Sequence, residues 1–222
     1  MHPTFEGSDR YRFRPLPLVT VKWRDTIFFG EGGLGAQWHN RHLRLGGGLT
    51  VDPGRKDHST GGIFESGDDR LRGLGTINAS LGLRGFAEYR AGPLGIELSG
   101  TKFTGGRNSG ILANLGISLA LPLSRKLIFI PSARATWADG NYTQTYFGVT
   151  AVQAAASIFP AFSAGAGVKD VRGGASLIWR LNRHWFVGAN GAVVHLMGPA
   201  ARSPISLRDT SVTAMTMAGY RF

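Results

Sequence analysis

The sequence predicts an all-β fold, an antiparallel transmembrane β-barrel of about twelve strands, of which about eleven lie in this chain. Three observations predict it: long segments in which apolar and polar residues alternate, tryptophans near the ends of those segments, and connections that alternate between short and long. Composition agrees with them. Glycine is 33 of 222 residues and charged residues are only 18%, which is typical of many strands joined by tight turns.

Alternation with a period of two is the main evidence for strands. In Ile77–Arg90 one set of alternate positions carries mostly Ile, Ala and Leu, while the other carries mostly Asn, Ser, Gly, Arg and Glu. A period of two indicates a strand rather than a helix. Leu43–Val51, Ile111–Leu121, Val171–Leu181 and Val212–Phe222 behave similarly. The predicted strands are 16–23, 26–31, 33–39, 42–51, 76–90, 92–104, 109–122, 125–138, 168–181, 184–196 and 211–222.

Alternation alone does not decide which face of the sheet is covered, but the tryptophans favour a membrane. An indole prefers the level of the lipid headgroups, so aromatic girdles lie at the two ends of a membrane barrel. The alternative is a soluble sandwich, whose core tryptophans more often lie in mid-strand. All five tryptophans lie near predicted strand ends and form the predicted aromatic girdle: Trp23, Trp38, Trp137, Trp179 and Trp185.

The connections fall into two classes. Residues 91–93, 123–126 and 181–184 form short turns, whereas 52–75, 139–167 and 197–210 are long, with one short helical turn predicted at 151–157. Short periplasmic turns and long outer loops are typical of outer-membrane barrels. The chain is predicted to be one barrel domain, 1–222. Because such barrels have an even strand number, we expect the full protein to have one further strand before Met1.

Composition excludes several function classes. The net charge is +11, but the basic residues are dispersed singly through apolar segments, which argues against a nucleic-acid partner. The absence of cysteine excludes disulfides, thiolate zinc sites and cysteine nucleophiles. No apolar run reaches the roughly 18 residues of a spanning helix.

The sequence offers no convincing catalytic, cofactor or metal site. His58 lies near Asp52, Asp57 and Ser59, but an ordinary polar loop explains this cluster more simply than a Ser–His–acid site does. No histidine spacing indicates a metal. The Gly-rich segment 30–37 lacks the lysine and the helix that a phosphate-binding loop needs. We therefore predict a protein that is not an enzyme, although an outer-membrane hydrolase using His58 remains a further hypothesis.

Charged residues at the polar positions of the strands are predicted to face the barrel lumen. They could form an anion-preferring pore or, the interpretation we favour, pair with one another and fill the lumen. Arg10, Arg55 and Lys56 lie in predicted outer loops, where they could contact lipopolysaccharide or form a solvated surface, and we favour the latter. The predicted lumen-facing charged residues are Lys22, Arg44, Arg84, Glu88, Arg90, Glu97, Arg134, Arg172, Arg180 and Arg221.

Several segments resemble the MipA/OmpV family of outer-membrane proteins. The most specific are "YFGV" at 146–149 and "SPI" at 203–205, and the similarity also covers "PTFEGSDRYRFRPLPLVTVKWRD", "LRLGGGLTVDPGRKD", "AGAGVKDVRGGASLIWRLNRHWFVGANGAVVHLMGPAARSPI" and the terminal "AGYRF". In that family a secretion signal and a first strand precede the equivalent of residue 3. Tyr220 and Phe222 share one face of the last strand, and we predict that they form the signal recognised by the barrel-insertion machinery.

The resemblance implies a location in the outer membrane of a Gram-negative bacterium. It also implies a non-enzymatic scaffold that brings a murein transglycosylase together with a peptidoglycan synthase, without a cofactor. The alternative is a narrow channel or sensor for small solutes or antibiotics.

Overall fold

The computed structural model describes residues 1–13, 21–24, 26–30, 33–59, 67–105 and 108–220. Most of these residues are in strands. The strands are β1 (His2–Pro3), β2 (Tyr11–Arg12), β3 (Val21–Trp23), β4 (Ile27–Gly30), β5 (Gly33–His39), β6 (Leu43–Asp52), β7 (Ser80–Ala91), β8 (Leu94–Thr104), β9 (Ile111–Leu119), β10 (Leu121–Pro122), β11 (Leu127–Ala138), β12 (Gly167–Arg180), β13 (Trp185–Leu196) and β14 (Thr210–Tyr220).

Eleven strands form one antiparallel sheet in chain order from β3 to β14, and the short β10 pairs with β11 beside this path. β1 and β2 form a separate two-stranded pair. The predicted all-β, antiparallel architecture is confirmed. Within the described ranges β3 and β14 are not paired with each other, so the closed barrel and its twelve strands stay predictions. The predicted strand 16–23 lies largely outside the described residues, and β3 is its described part.

The burial of alternate residues distinguishes the two faces of the sheet. In β7, Leu81 and Leu83 are exposed, whereas Ser80 and Glu88, on the opposite face, are buried. In β8, Leu98 is exposed and Ser99 is buried. Large apolar side chains therefore cover the exposed face and polar or small ones the interior face, the reverse of a water-soluble sheet.

Two irregularities interrupt the ladders of β11. β9 pairs with β11 as far as Ser132, and β10 pairs with it at Ile128 and Phe129. Pro131, which has no backbone N–H, lies between these two ladders, which explains how a proline is tolerated there. A register shift between Thr136 and Trp137 changes the pairing with β12.

The connections place long segments at one end of the sheet and short turns at the other. The long segments fold together into what we call the cap, which comprises residues 1–12, 53–59, 67–79, 139–166 and 197–209. One cap core contains Phe5, Leu71, Leu74, Val149, Phe159 and Ile205. A second contains Phe147, Ala164, Leu196 and Ala200. The first core lies wholly within the cap, whereas the second includes Leu196 at the end of β13, and a further cluster packs Tyr142 against Phe103 and Ala138 of the sheet.

Three short helices lie in the cap: α1 (Gly140–Phe147), α2 (Ala151–Ala156) and α3 (Gly198–Ala201), besides a 3₁₀ turn at Asp69–Leu71. α2 matches the predicted helical turn and begins with a capping box between Thr150 and Gln153. α1 differs from the predicted loop. The Asp139 side chain accepts a hydrogen bond from the Tyr142 N–H at 2.9 Å, and this cap favours the helix. Within the described ranges no helix is both long and apolar enough to cross a membrane.

Asp68 ties the N-terminal segment to the rest of the cap. Its buried carboxylate accepts hydrogen bonds from the Thr4 hydroxyl at 2.8 Å and from the Arg70 N–H at 3.0 Å, and its ion pair with the Arg70 guanidinium is 3.2 Å long. Burial by itself raises the pKa of Asp68, but the hydrogen bonds and the charge of Arg70 outweigh it, so the pKa lies below its usual value.

We therefore expect the cap to loosen in acid. The folded-state pKa is lower than the unfolded value of about 3.9, so Asp68 stabilises the cap above about pH 4 and this contribution is lost as the pH falls through the folded-state pKa. Hydrogen-exchange protection of the Leu71 and Leu74 amides, measured between pH 6 and pH 3, checks this. Asp68→Asn should flatten the pH dependence and Asp209→Asn should leave it unchanged. An identical profile for Asp68→Asn and the wild type would contradict the assignment.

Candidate functional site

Five charged residues of the interior face lie in one row across the sheet. Arg44 of β6 is the ladder partner of Glu88 in β7, which is in turn the partner of Glu97 in β8. On each further strand the row contains the residue that is the ladder partner of the one before. From β5 to β14 its members are His39, Arg44, Glu88, Glu97, Gly116, Arg134, Arg172, Val194 and Ser211.

Glu88 is held by two arginines. Its side chain is almost fully buried, accepting a hydrogen bond from Arg44 Nε at 2.7 Å and another from Arg90 Nε at 2.5 Å. Charge-assisted hydrogen bonds of this kind are among the stronger polar contacts in proteins. This acid is therefore fully engaged by neighbours on its own strand and on β6.

Glu97 has two arginine partners at unequal distances. Arg84 Nη2 lies 3.2 Å from its Oε1, and Arg134 Nη2 lies 4.0 Å from the same oxygen. Gly116 occupies the rung between Glu97 and Arg134, and a Cβ there would lie 3.7 Å from Arg134 Nε. A side chain at this rung would therefore touch both Arg134 and Glu97 at ordinary contact distance.

A cavity of about 210 Å³ opens beside this row. Arg134, Arg172, Glu88 and Glu97 line it together with the polar side chains of Ser118, Ser132 and Asn190. The side chain of Arg172 makes no hydrogen bond or ion pair with any other described residue. The cavity therefore contains two carboxylates in ion pairs and two arginines, Arg134 and Arg172, with few polar contacts of their own.

A second cavity, of about 330 Å³, lies where the cap meets the sheet. Its lining includes Arg172, Arg55, Tyr142 and Tyr146. Burial raises the pKa of both tyrosines, and the negative charges of nearby carboxylates, including Asp52, raise it further. Because Arg172 lines both cavities, it lies between the interior of the sheet and the cap.

Sequence reasoning missed the buried lysine next to this second cavity. Lys169 Nζ lies 2.6 Å from Glu6 Oε1 and 3.0 Å from Asp170 Oδ2, and its side chain is 5% exposed. The register shift at Thr136 and Trp137 leaves Lys169 without a ladder partner on β11, while Asp170 pairs with Thr136. Alternation could not reveal this, because a bulge breaks the period of two.

The predicted charged set can be placed residue by residue. Arg44, Arg84, Glu88, Arg90, Glu97, Arg134 and Arg172 take part in the row, its ion pairs or its cavity. Arg180 is further along β12 at the turn end, where its ladder partner is Phe186. The side chain of Lys22 and all of Arg221 lie outside the described part of the chain. That these residues face a closed lumen stays a prediction.

The loop around His58 contains local polar contacts. His58 Nδ1 lies 2.9 Å from Asp57 Oδ1, and the Asp52 carboxylate accepts a hydrogen bond from Asn108. Among the residues that the structure describes, no group of three or more His, Asp or Glu residues is arranged to hold a metal ion.

A comparison with protein families matches residues 1–222 to the family described as MltA-interacting protein MipA. The chain belongs to the MipA family. The match spans the whole chain, and the resemblance predicted from the sequence is confirmed. A comparison with curated proteins finds no match.

In this MipA-family chain the five tryptophans are exposed and lie at or near strand ends. Trp23, Trp38, Trp179 and Trp185 lie toward the short turns, and Trp137 lies toward the cap. Their predicted role as membrane girdles stays a prediction. The insertion signal is not described in full, because Phe222 and the side chain of Tyr220 lie outside the described residues.

Proposed function

We propose that this protein is an outer-membrane β-barrel that acts as a non-enzymatic scaffold for peptidoglycan-remodelling enzymes. The observation that carries the proposal is the match of the whole chain to the MltA-interacting protein MipA family. The family description supports a murein transglycosylase as the partner. A peptidoglycan synthase as a second partner rests on the resemblance given above.

The exposed apolar face of the sheet supports the membrane location. Leucine, valine and isoleucine side chains stand on the exposed face of the strands, as lipid-facing residues do. Within the described ranges neither β3 nor β14 has a second strand of the large sheet beside it, which supports closure through a further strand. The edge of β14 already pairs at Ala214, whose N–H donates to the Met1 carbonyl at 3.0 Å. A strand running antiparallel to β14 from that point would continue the ladder.

The short turns offer a basic surface to a periplasmic partner. Arg41, Arg125, Lys126 and Arg183 are exposed at this end of the sheet. The turns 40–42, 92–93, 123–126 and 181–184 contain no acidic residue, and Asp25 in the turn after β3 lies outside the described residues. Such a charge pattern attracts a partner with an acidic surface and accelerates association. The turns are short, so the interface belongs to the small, transient class.

Reversing charge on the turns tests the scaffold. We expect Arg125→Glu combined with Lys126→Glu to weaken binding of a purified murein transglycosylase on the order of tenfold, because like charges would then face the acidic partner surface. The measurement is surface plasmon resonance on the full chain in detergent at two salt concentrations, since screening should reduce the wild-type affinity as well.

The matched control reverses two exposed arginines at the other end of the sheet, Arg202→Glu with Arg208→Glu, which should leave binding unchanged. Equal weakening by both pairs would show that net charge rather than the turn surface governs the interaction. Binding of the transglycosylase that neither pair affects would remove the turns as the docking surface.

A narrow channel or sensor for small solutes is the second candidate. The polar cavity beside Arg134 and Arg172 favours it, whereas the packed cap at one end of the sheet favours the scaffold. Single-channel recording in planar bilayers separates the two functions. Steady openings that disappear when the interior arginines are neutralised would favour the channel.

A further inference from the structure

We propose that the interior of the sheet holds a binding site for a small oxyanion, a phosphate or a carboxylate, between Arg134 and Arg172. This inference does not rest on the scaffold role. It rests on three features of the interior: two arginines that face each other, carboxylates that are already engaged, and a cavity with neutral polar groups next to the arginines.

Arg134 and Arg172 are directly opposite each other in the ladder between β11 and β12. Both line the same cavity, so both belong to one face of the sheet. Side chains directly opposite across an antiparallel pair have Cβ atoms about 5 Å apart, and like charges there are destabilising. An anion between the two guanidinium groups would remove this repulsion, which no neutral ligand would do.

The carboxylates of the cavity do not supply that anion. Glu88 is engaged by Arg44 and Arg90, and the closest cation to Glu97 is Arg84. Arg134 approaches Glu97 only to 4.0 Å. Among the described residues, the row and its ion-pair partners contain five arginines and two glutamates, an excess of three positive charges, and two of these arginines, Arg134 and Arg172, line the cavity.

The cavity also suits a small anion in size and in chemistry. Its volume of about 210 Å³ accommodates a phosphate or a short carboxylate. Guanidinium groups bind the oxygens of such anions through two parallel hydrogen bonds. Ser132 lines the same cavity, and its hydroxyl can donate a further hydrogen bond. The Asn190 amide also lines the cavity, but its Nδ2 already donates to Ser176 Oγ at 2.8 Å and to the Ala175 carbonyl at 3.4 Å.

The test is isothermal titration calorimetry of the full chain, folded in zwitterionic detergent at constant ionic strength, with inorganic phosphate as the probe. We expect submillimolar binding by the wild type and a loss of more than tenfold in Arg172→Gln and in Arg134→Gln. Arg172→Lys keeps the positive charge but not the paired N–H donors of the guanidinium group. Its affinity for phosphate should therefore fall less than that of Arg172→Gln. A parallel titration with acetate tells whether the site takes carboxylates as well as phosphate.

Arg180→Gln is the matched control. It removes the same charge from the same strand, eight residues and therefore roughly 26 Å from Arg172, and it should change the affinity less than twofold. Near-UV circular dichroism checks that each variant is folded. In the absence of anions Arg172→Gln should be at least as stable as the wild type, because it removes a like-charge pair. Undetectable binding to the wild type, or equal loss in Arg180→Gln and Arg172→Gln, would overturn the proposal.

Discussion

Leu98→Arg is expected to destabilise the protein in lipid vesicles by about 2–4 kcal/mol, the cost of a charged side chain at the midplane of a bilayer. Leu98 lies in the middle of β8, its side chain is 58% exposed, and its ladder partner on β9 is Leu115, which is also exposed. In a water-soluble sheet the same substitution would be nearly neutral, because arginine at an exposed position is well solvated. The substitution therefore distinguishes a lipid-facing surface from a solvated one.

Urea unfolding in phosphatidylcholine vesicles measures the difference in the free energy of unfolding. The control is Val152→Arg in α2, which adds the same charge at a position that is 80% exposed in the cap, and it should change the stability by less than about 0.5 kcal/mol. If Leu98→Arg is as well tolerated as Val152→Arg, the apolar face of the sheet does not meet lipid, and the membrane location fails with it.

Phe147→Ala is expected to cost about 3–5 kcal/mol, the usual range for emptying a buried aromatic site. Phe147 is 1% exposed and ends α1, where it packs against Ala164, Leu196 and Ala200. These partners come from the segment before β12, from the end of β13 and from α3. The ring thus joins three parts of the chain, and the cavity left by alanine would loosen them together.

Hydrogen exchange followed by mass spectrometry shows which parts of the chain Phe147→Ala destabilises. Amides in 139–166 and 197–209 should lose protection, while the middle of β7, β8 and β9 should keep it, because the cap has its own core. Ile158→Ala, at a position 79% exposed in the same cap, is the control and should change nothing. Uniform loss of protection across the sheet would mean that the cap and the sheet unfold as one unit.

Alternation predicted the strands well because a period of two depends only on neighbouring residues. From β4 to β14 every predicted strand has a counterpart in the sheet, with boundaries that differ by a few residues. α1 was missed since its sequence, rich in threonine and aromatic residues, has modest helix propensity. The burial of Tyr142 and Phe147 in the cap outweighs that local preference.

The candidate site, too, was predicted only in part from the sequence. The sequence predicted which charged residues share the polar face, but not which of them face each other. Register decides that: shifting one strand by two residues would keep every arginine on the polar face and separate Arg134 from Arg172. Lys169 was outside the prediction altogether, because its partner Glu6 is 163 residues away along the chain.

By itself, then, the sequence determined the positions of the strands along the chain, the apolar and polar faces of the strands, the split between short turns and long connections, and the family. These follow from local periodicity and from motifs that can be read without any partner. Only the tertiary structure decided which face is covered, how the long connections pack into a cap, and how the row from Arg44 to Arg172 is composed. Burial, packing and register depend on contacts between distant residues, and local patterns do not encode those contacts.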